Sequence, residues 1–173
     1  FWTETAASRS KGISPPADPA LYCVNLFIEV LGIGAQGIQV AEQLAGKEIS
    51  VDVNVVPGCV YTDPEIASVG MTEDEAKEKG IAVKVGKFIM SANGKSLITK
   101  EERGFIKIVA EEESGVIVGA QMMCARATDM IGEFVTAVAN NMTMSQLLKG
   151  MRAHPTYNEG IGEALEELEG GAI

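Results

Sequence analysis

One histidine, one tryptophan and three cysteines stand among the 173 residues of this chain, and 14 basic residues face 24 acidic ones. With a single histidine, and with Cys23, Cys59 and Cys124 far apart, no ligand set has metal-binding spacing, so no metal site is expected. An odd, dispersed set of cysteines makes no disulfide framework either, and fits a reducing compartment such as the cytoplasm. The net charge of −10 argues against nucleic acid as a partner, because a phosphate backbone is bound at basic patches that displace its counterions. No apolar run approaches the length of a bilayer span. The most apolar stretch, Leu21 to Leu31, is interrupted by Asn25 and Glu29, and no membrane association is expected.

A hydrophobic content of 46% is enough for one substantial core. The chain opens on Phe1 and shows no secretory signal, so it reads as a piece of a longer or processed protein. Residues 1–34 begin as a tail or linker rich in Ser, Thr, Pro and Ala, with Pro15, Pro16 and Pro19, and end in a strand-like apolar run. A helix-like stretch with Ile38, Ala41, Leu44 and Ala45 follows, then the alternating run Ile49 to Val53, so that residues 35–56 read as a helix and a strand. Gly32, Gly34 and Gly37 spell G-x-G-x-x-G between the apolar run and the helix, a pattern that lets a backbone approach a pyrophosphate. The acid expected at the end of the second strand is not well placed, and too few βα units follow to complete a dinucleotide domain.

From residue 57 on, the signals are cleaner. Thr72-Glu73-Asp74-Glu75 has the spacing of a capping box and opens a short helix that Gly80 closes. Strand-like runs follow at Ile81 to Met90, Phe105 to Ala110 and Val116 to Met122, the last two joined as a hairpin through Glu113-Ser114-Gly115. Ile131, Phe134, Val135, Val138 and Met142 share one helical face. Leu147, Leu148 and Met151 mark a further short helix, and a final helix buries Ile161, Ala164, Leu165 and Leu168. This order implies an α+β fold, an antiparallel sheet packed with helices on one side. The acidic run Glu111 to Glu113 and the tail residues Glu163, Glu166, Glu167 and Glu169 read as solvated faces. The methionines from Met122 to Met151 read as core or dimer packing.

The one histidine lies in His154-Pro155-Thr156-Tyr157-Asn158-Glu159, just before the acidic last helix. Imidazole titrates near neutral pH and can take and return a proton in one cycle. A carboxylate that accepts its second ring N–H fixes the tautomer and stabilises the imidazolium. Proline suits the first turn of a helix and keeps the preceding residue extended, so His154 is expected at a rigid corner. The same run equally fits a capping box in which Thr156 caps the helix and Glu159 only bonds back to it.

Several blocks carry a resemblance: Val60 to Gly70, Met90 to Asn93, Gly104 to Lys107, Gly119 to Gln121, and His154 to Glu159. In this order they resemble the C-terminal interface domain of the flavin-dependent pyridine nucleotide-disulfide oxidoreductases, most closely the branch that oxidises dihydrolipoamide. Residues 35–46 resemble the end of that family's flavin-binding domain, which leaves 57–173 as the interface, or dimerisation, domain. The resemblance implies a homodimer in which His154 is the base and Glu159 its partner, delivered to the redox site of the other subunit. Pro155 would place its backbone close to the flavin there. It implies electron flow from the dihydrolipoyl groups of a 2-oxoacid dehydrogenase or glycine cleavage complex to a cysteine pair, then to FAD and NAD. That cysteine pair lies on a separate domain of the family and is absent here. No cofactor is therefore expected on this chain alone, which should be catalytically silent by itself. Two other classes stay open: a small dinucleotide-binding module using the glycines at 32–37, and a non-catalytic dimerisation scaffold.

Overall fold

The computed structural model describes residues 34–48 and 51–170. Cys23, Gly32 and the strand-like run before it, and also Ile49 and Ser50, lie outside the described residues. Residues 34–44 are helical, with Gly34 and Gly37 inside the helix. The strand expected at 49–53 does not form in its described part, where residues 51–53 are bend and turn. Asp52 is the reason: its carboxylate accepts from the backbone N–H and the side-chain amide of Asn54, both at 2.9 Å. Such a local bond competes with any strand ladder.

From Gly58 on, five strands form one antiparallel sheet. They are β1 (Gly58–Val60), β2 (Glu65–Gly70), β3 (Val83–Ile89), β4 (Phe105–Glu111) and β5 (Ile117–Cys124), in the order β1-β2-β5-β4-β3. Alternation along each strand puts Ala67, Met122 and Ile106 on one face, since Ala67 pairs with Met122 and Met122 with Ile106. Two helices cover that face, α3 (Ala127–Ala139) over β2 and β5, and α5 (Glu159–Glu169) over β3 and β4. α3 buries Met130, Ile131, Phe134 and Ala137, and α5 buries Ile161, Ala164, Leu165 and Leu168, so both read as amphipathic helices turned onto one core. Each fully buried large side chain contributes about 1.5–3 kcal/mol. At β3 the approach is so close that a Cβ on Gly86 would stand 2.0 Å from the Ala164 carbonyl oxygen.

Three short helices complete the layer: α1 (Glu73–Glu78), α2 (Gly94–Thr99) and α4 (Met144–Leu148). α1 is an exception to helices on one side. Its Glu73 bonds the Lys107 ammonium at 2.9 Å, and Lys107 points to the face opposite Ile106 and Ile108. The expected capping box is present there: Thr72 Oγ1 accepts from Glu75 N–H, and the Glu75 carboxylate accepts from Thr72 N–H. Gly115 closes the β4–β5 hairpin at φ 69°.

Two details depart from the sequence reading. Glu167 is more than a solvated charge, since its carboxylate accepts from the Lys87 N–H at 2.6 Å and so occupies a donor of the edge strand β3. Met151 lies past the end of α4 and is 99% exposed, because the chain leaves the helix at Lys149.

The sheet has two unlike ends. Gly70, Val83, Glu111 and Ile117 mark one end, closed by α1 and the hairpin. Glu65, Ile89, Phe105 and Cys124 mark the other, where Tyr61, Ile66, Ile89, Leu97 and Ile98 leave large apolar surface exposed. α5 also begins at that end, with Gly160 packed on Phe88, Met90 and Ile106.

Candidate acid/base site

The segment 149–158 leads from α4, which starts beside the β4–β5 hairpin, to α5 at the open end and carries His154. It is fixed from several sides. Two residues before His154, the largely buried Arg152 side chain donates to Glu133 on α3 at 2.6 Å and to the Gly150 carbonyl at 3.2 Å. Two residues after it, the Thr156 carbonyl accepts from the Asn93 side-chain amide at 3.1 Å. The Thr156 hydroxyl donates back to the Ala153 carbonyl at 2.7 Å. The Tyr157 phenol donates to Glu101 and shares a 2.8 Å hydrogen bond with Thr99, tying the segment to α2 and the residues after it.

Within this frame His154 Nδ1 lies 2.7 Å from Glu159 Oε1, with the histidine side chain 78% exposed and the glutamate 29%. The other carboxylate oxygen, Oε2, accepts from Thr156 N–H at 2.8 Å. The Thr156 N–H and then His154 hold the Glu159 carboxyl below the usual carboxylate range, so it is ionised at neutral pH. An acceptor at Nδ1 requires the neutral ring to carry its proton there, which leaves the Nε2 lone pair as the basic site. The arrangement can therefore take a proton at Nε2 and stabilise the resulting imidazolium through Glu159.

The local reading of this run is partly corrected. Pro155 is not in the first turn of α5, which starts at Glu159; it stands exposed in the bend beside His154. The capping box is half made: Glu159 bonds back to Thr156, but the Thr156 hydroxyl is turned to Ala153 and Asn158 takes the cap position without a side-chain bond. Glu159 therefore serves the cap and the imidazole at once, one oxygen for each. A cleft of about 430 Å³ opens beside Pro155 and Tyr157, with Lys95 and Arg126 on its wall.

Asn93, Arg152, Glu133 and Tyr157 escaped the sequence reading of the site. Asn93 and Tyr157 lie in blocks shared with the resembling family, which is the one signal that could have found them.

The described cysteines do not suit thiol chemistry. Burial and the neighbouring Glu65 push the Cys124 thiol up to about 12, and the same two causes raise Cys59. Among the described residues no group of three His, Cys, Asp or Glu side chains could hold a metal ion.

Residues 56–165 match the family model of the pyridine nucleotide-disulphide oxidoreductase dimerisation domain. The chain belongs to that family. Curated relatives agree: dihydrolipoyl dehydrogenases of Haloferax volcanii and Bacillus subtilis are 40% and 43% identical, each over 80% of this chain and 29% of their own length. The chain thus spans about a third or less of the length of the curated relatives it matches. Among solved structures, LpdA of Mycobacterium tuberculosis superposes with a TM-score of 0.69 at 25% identity, over 73% of this chain and 28% of that one. The HOCl-induced flavoprotein disulfide reductase RclA of Escherichia coli gives 0.66 at 25% identity, over 78% and 31%. The family assignment accounts for the α+β architecture and supports homodimer formation.

Proposed function

We propose that this chain is the dimerisation domain of a dihydrolipoyl dehydrogenase, and that it lends His154 and Glu159 as an acid/base pair to the partner subunit's redox site. The observation that carries the reading is the 2.7 Å contact between Nδ1 and Glu159 with most of the ring exposed. A buried structural histidine would not leave its basic nitrogen open to a reactant. Nε2 takes the proton of the attacking dithiol, because the thiolate is the reactive species, and Glu159 stabilises the charge formed on the ring. Bound in the full enzyme, FAD and NAD supply the electron relay. The exposed backbone at Pro155 is the part of this chain that would approach the flavin.

The apolar residues at the same end of the sheet, Leu97 and Ile98 foremost, are exposed at 52% and 66% and fit contact with a second copy. The dithiol would be a dihydrolipoyl group carried by a 2-oxoacid dehydrogenase or glycine cleavage complex, in the cytoplasm. The isolated chain holds the proton-handling half of the site and is expected to be silent. In the full-length protein, His154→Gln should lower kcat for dihydrolipoamide by about 10²–10⁴, the usual worth of a positioned acid/base group. Turnover within about twofold of the unmodified protein would reduce the domain to a scaffold. Saturable NAD or FAD binding by the isolated chain, abolished by Gly34→Val, would favour a nucleotide module instead.

A further inference from the structure

His154, Glu159 and Thr156 form a closed unit: one carboxylate oxygen takes the ring and the other takes the Thr156 N–H. The ring itself is too exposed to be held by packing, so its place depends on what holds the unit. On one side α5 is seated by Gly160 against Phe88, Met90 and Ile106. On the other side the Thr156 carbonyl is held by Asn93, 63 residues earlier in the chain.

Asn93 is 3% exposed and one of two buried polar side chains among the described residues. Burying a carboxamide is costly unless both of its ends are bonded. Here both are: Oδ1 accepts from Ser96 N–H at 3.0 Å, capping α2, and Nδ2 donates to the Thr156 carbonyl at 3.1 Å. Because Ser96 offers only a donor and Thr156 only an acceptor, one orientation of the amide satisfies both. Capping alone does not call for asparagine. Thr72 and Thr143 cap α1 and α4 through hydroxyls, and serine, threonine or aspartate serve equally well at that position. None of these, ionised or neutral at neutral pH, combines the cap acceptor with an amide donor that reaches the Thr156 carbonyl.

We infer that Asn93 is a positioning residue for the acid/base pair, which fixes His154 by holding the Thr156 carbonyl. The inference rests on the proposed role of His154 for its kinetic consequence, but not for its geometric one. Asn93→Ser keeps an oxygen for the α2 cap and removes the donor to Thr156. A single histidine makes the geometric arm direct, since labelled-histidine NMR of this chain reports one ring without overlap. The unmodified chain is expected to show the Nδ1–H tautomer bonded to Glu159. Asn93→Ser should shift the ring toward mixed tautomers, as should the control Glu159→Ala.

In the full-length protein the same variant should lower kcat for dihydrolipoamide about tenfold with KM within twofold, because the ring is misplaced for chemistry rather than removed from binding. Asn93→Asp carries the same expectations should the serine variant fail to fold. A folded variant with the tautomer unchanged overturns the inference, whatever the kinetics. A shifted tautomer in a protein whose unmodified form does not oxidise dihydrolipoamide upholds the role of Asn93 and overturns the function proposed above.

Discussion

The two ends of the one sheet are built on opposite plans. At the closed end, neighbours in sequence satisfy one another for the most part: the Thr72–Glu75 box caps α1, Glu73 bonds Lys77, and the hairpin turns at Gly115, with the Glu73–Lys107 bridge alone reaching from α1 to the sheet. At the other end, polar groups are satisfied over separations of 63 residues, Asn93 with Thr156 and Glu65 with Thr128, while apolar side chains and the imidazole face outward. The first plan closes a fold. The second holds a reactive group rigid in an exposed place, which costs more polar engineering per residue because the group itself adds no packing.

The largest test of the contrast is a change confined to the closed end. A Cβ on Gly119 would stand 2.0 Å from the Met71 carbonyl oxygen, which belongs to backbone and has little room to give. Gly119→Ala is expected to cost roughly 3 kcal/mol or more. The thermal midpoint should then fall by about 6–12 °C. Labelled-histidine spectra below the midpoint should match those of the unmodified chain. A His154 ring that loses its Glu159 bond in this variant would show that the two ends are not separable.

A smaller effect sharpens the comparison through pH. Lys77 and then Lys107 hold the Glu73 carboxyl down to about 2. Its folded-state pKa therefore lies below the unfolded value of about 4.3. The contribution is complete above that unfolded value and is lost as pH falls from there to about 2. Thermal midpoints measured down the acid limb should fall less steeply for Glu73→Gln than for the unmodified chain. Glu73 is solvent-facing, so the difference should be small. Identical slopes would mean that the Glu73–Lys107 bridge contributes nothing to closing that end.

The same division decides what the sequence could disclose. The α1 capping box, the alternation in β3, β4 and β5, and the apolar faces of α3 and α5 are local patterns, and each stands where its spacing puts it. The His154–Glu159 contact also spans only five residues, yet its spacing fits a helix cap equally well, and the family resemblance singles out the pair. Pro155 was misplaced because helix-start rules assume the helix begins next to the proline, whereas Tyr157 and Asn158 form a turn of their own before Glu159. Asn93, Arg152 and Tyr157 were not legible as supports of the site, since their partners on other elements are brought near only by the folded sheet. The run at 49–53 alternates like a strand, yet the Asp52 side chain bonds Asn54 locally.

The claim on which the functional account turns is that the imidazole of one subunit serves the redox site of the other. Mixed dimers of the full-length protein test it directly, pairing a subunit that carries His154→Gln with one whose flavin-proximal cysteine pair is replaced. Each variant alone should be inactive, and the mixed dimer should regain dihydrolipoamide oxidation at one of its two sites. A mixed dimer as inactive as its parents would place the histidine and the cysteines of each site on the same subunit, and would contradict the account.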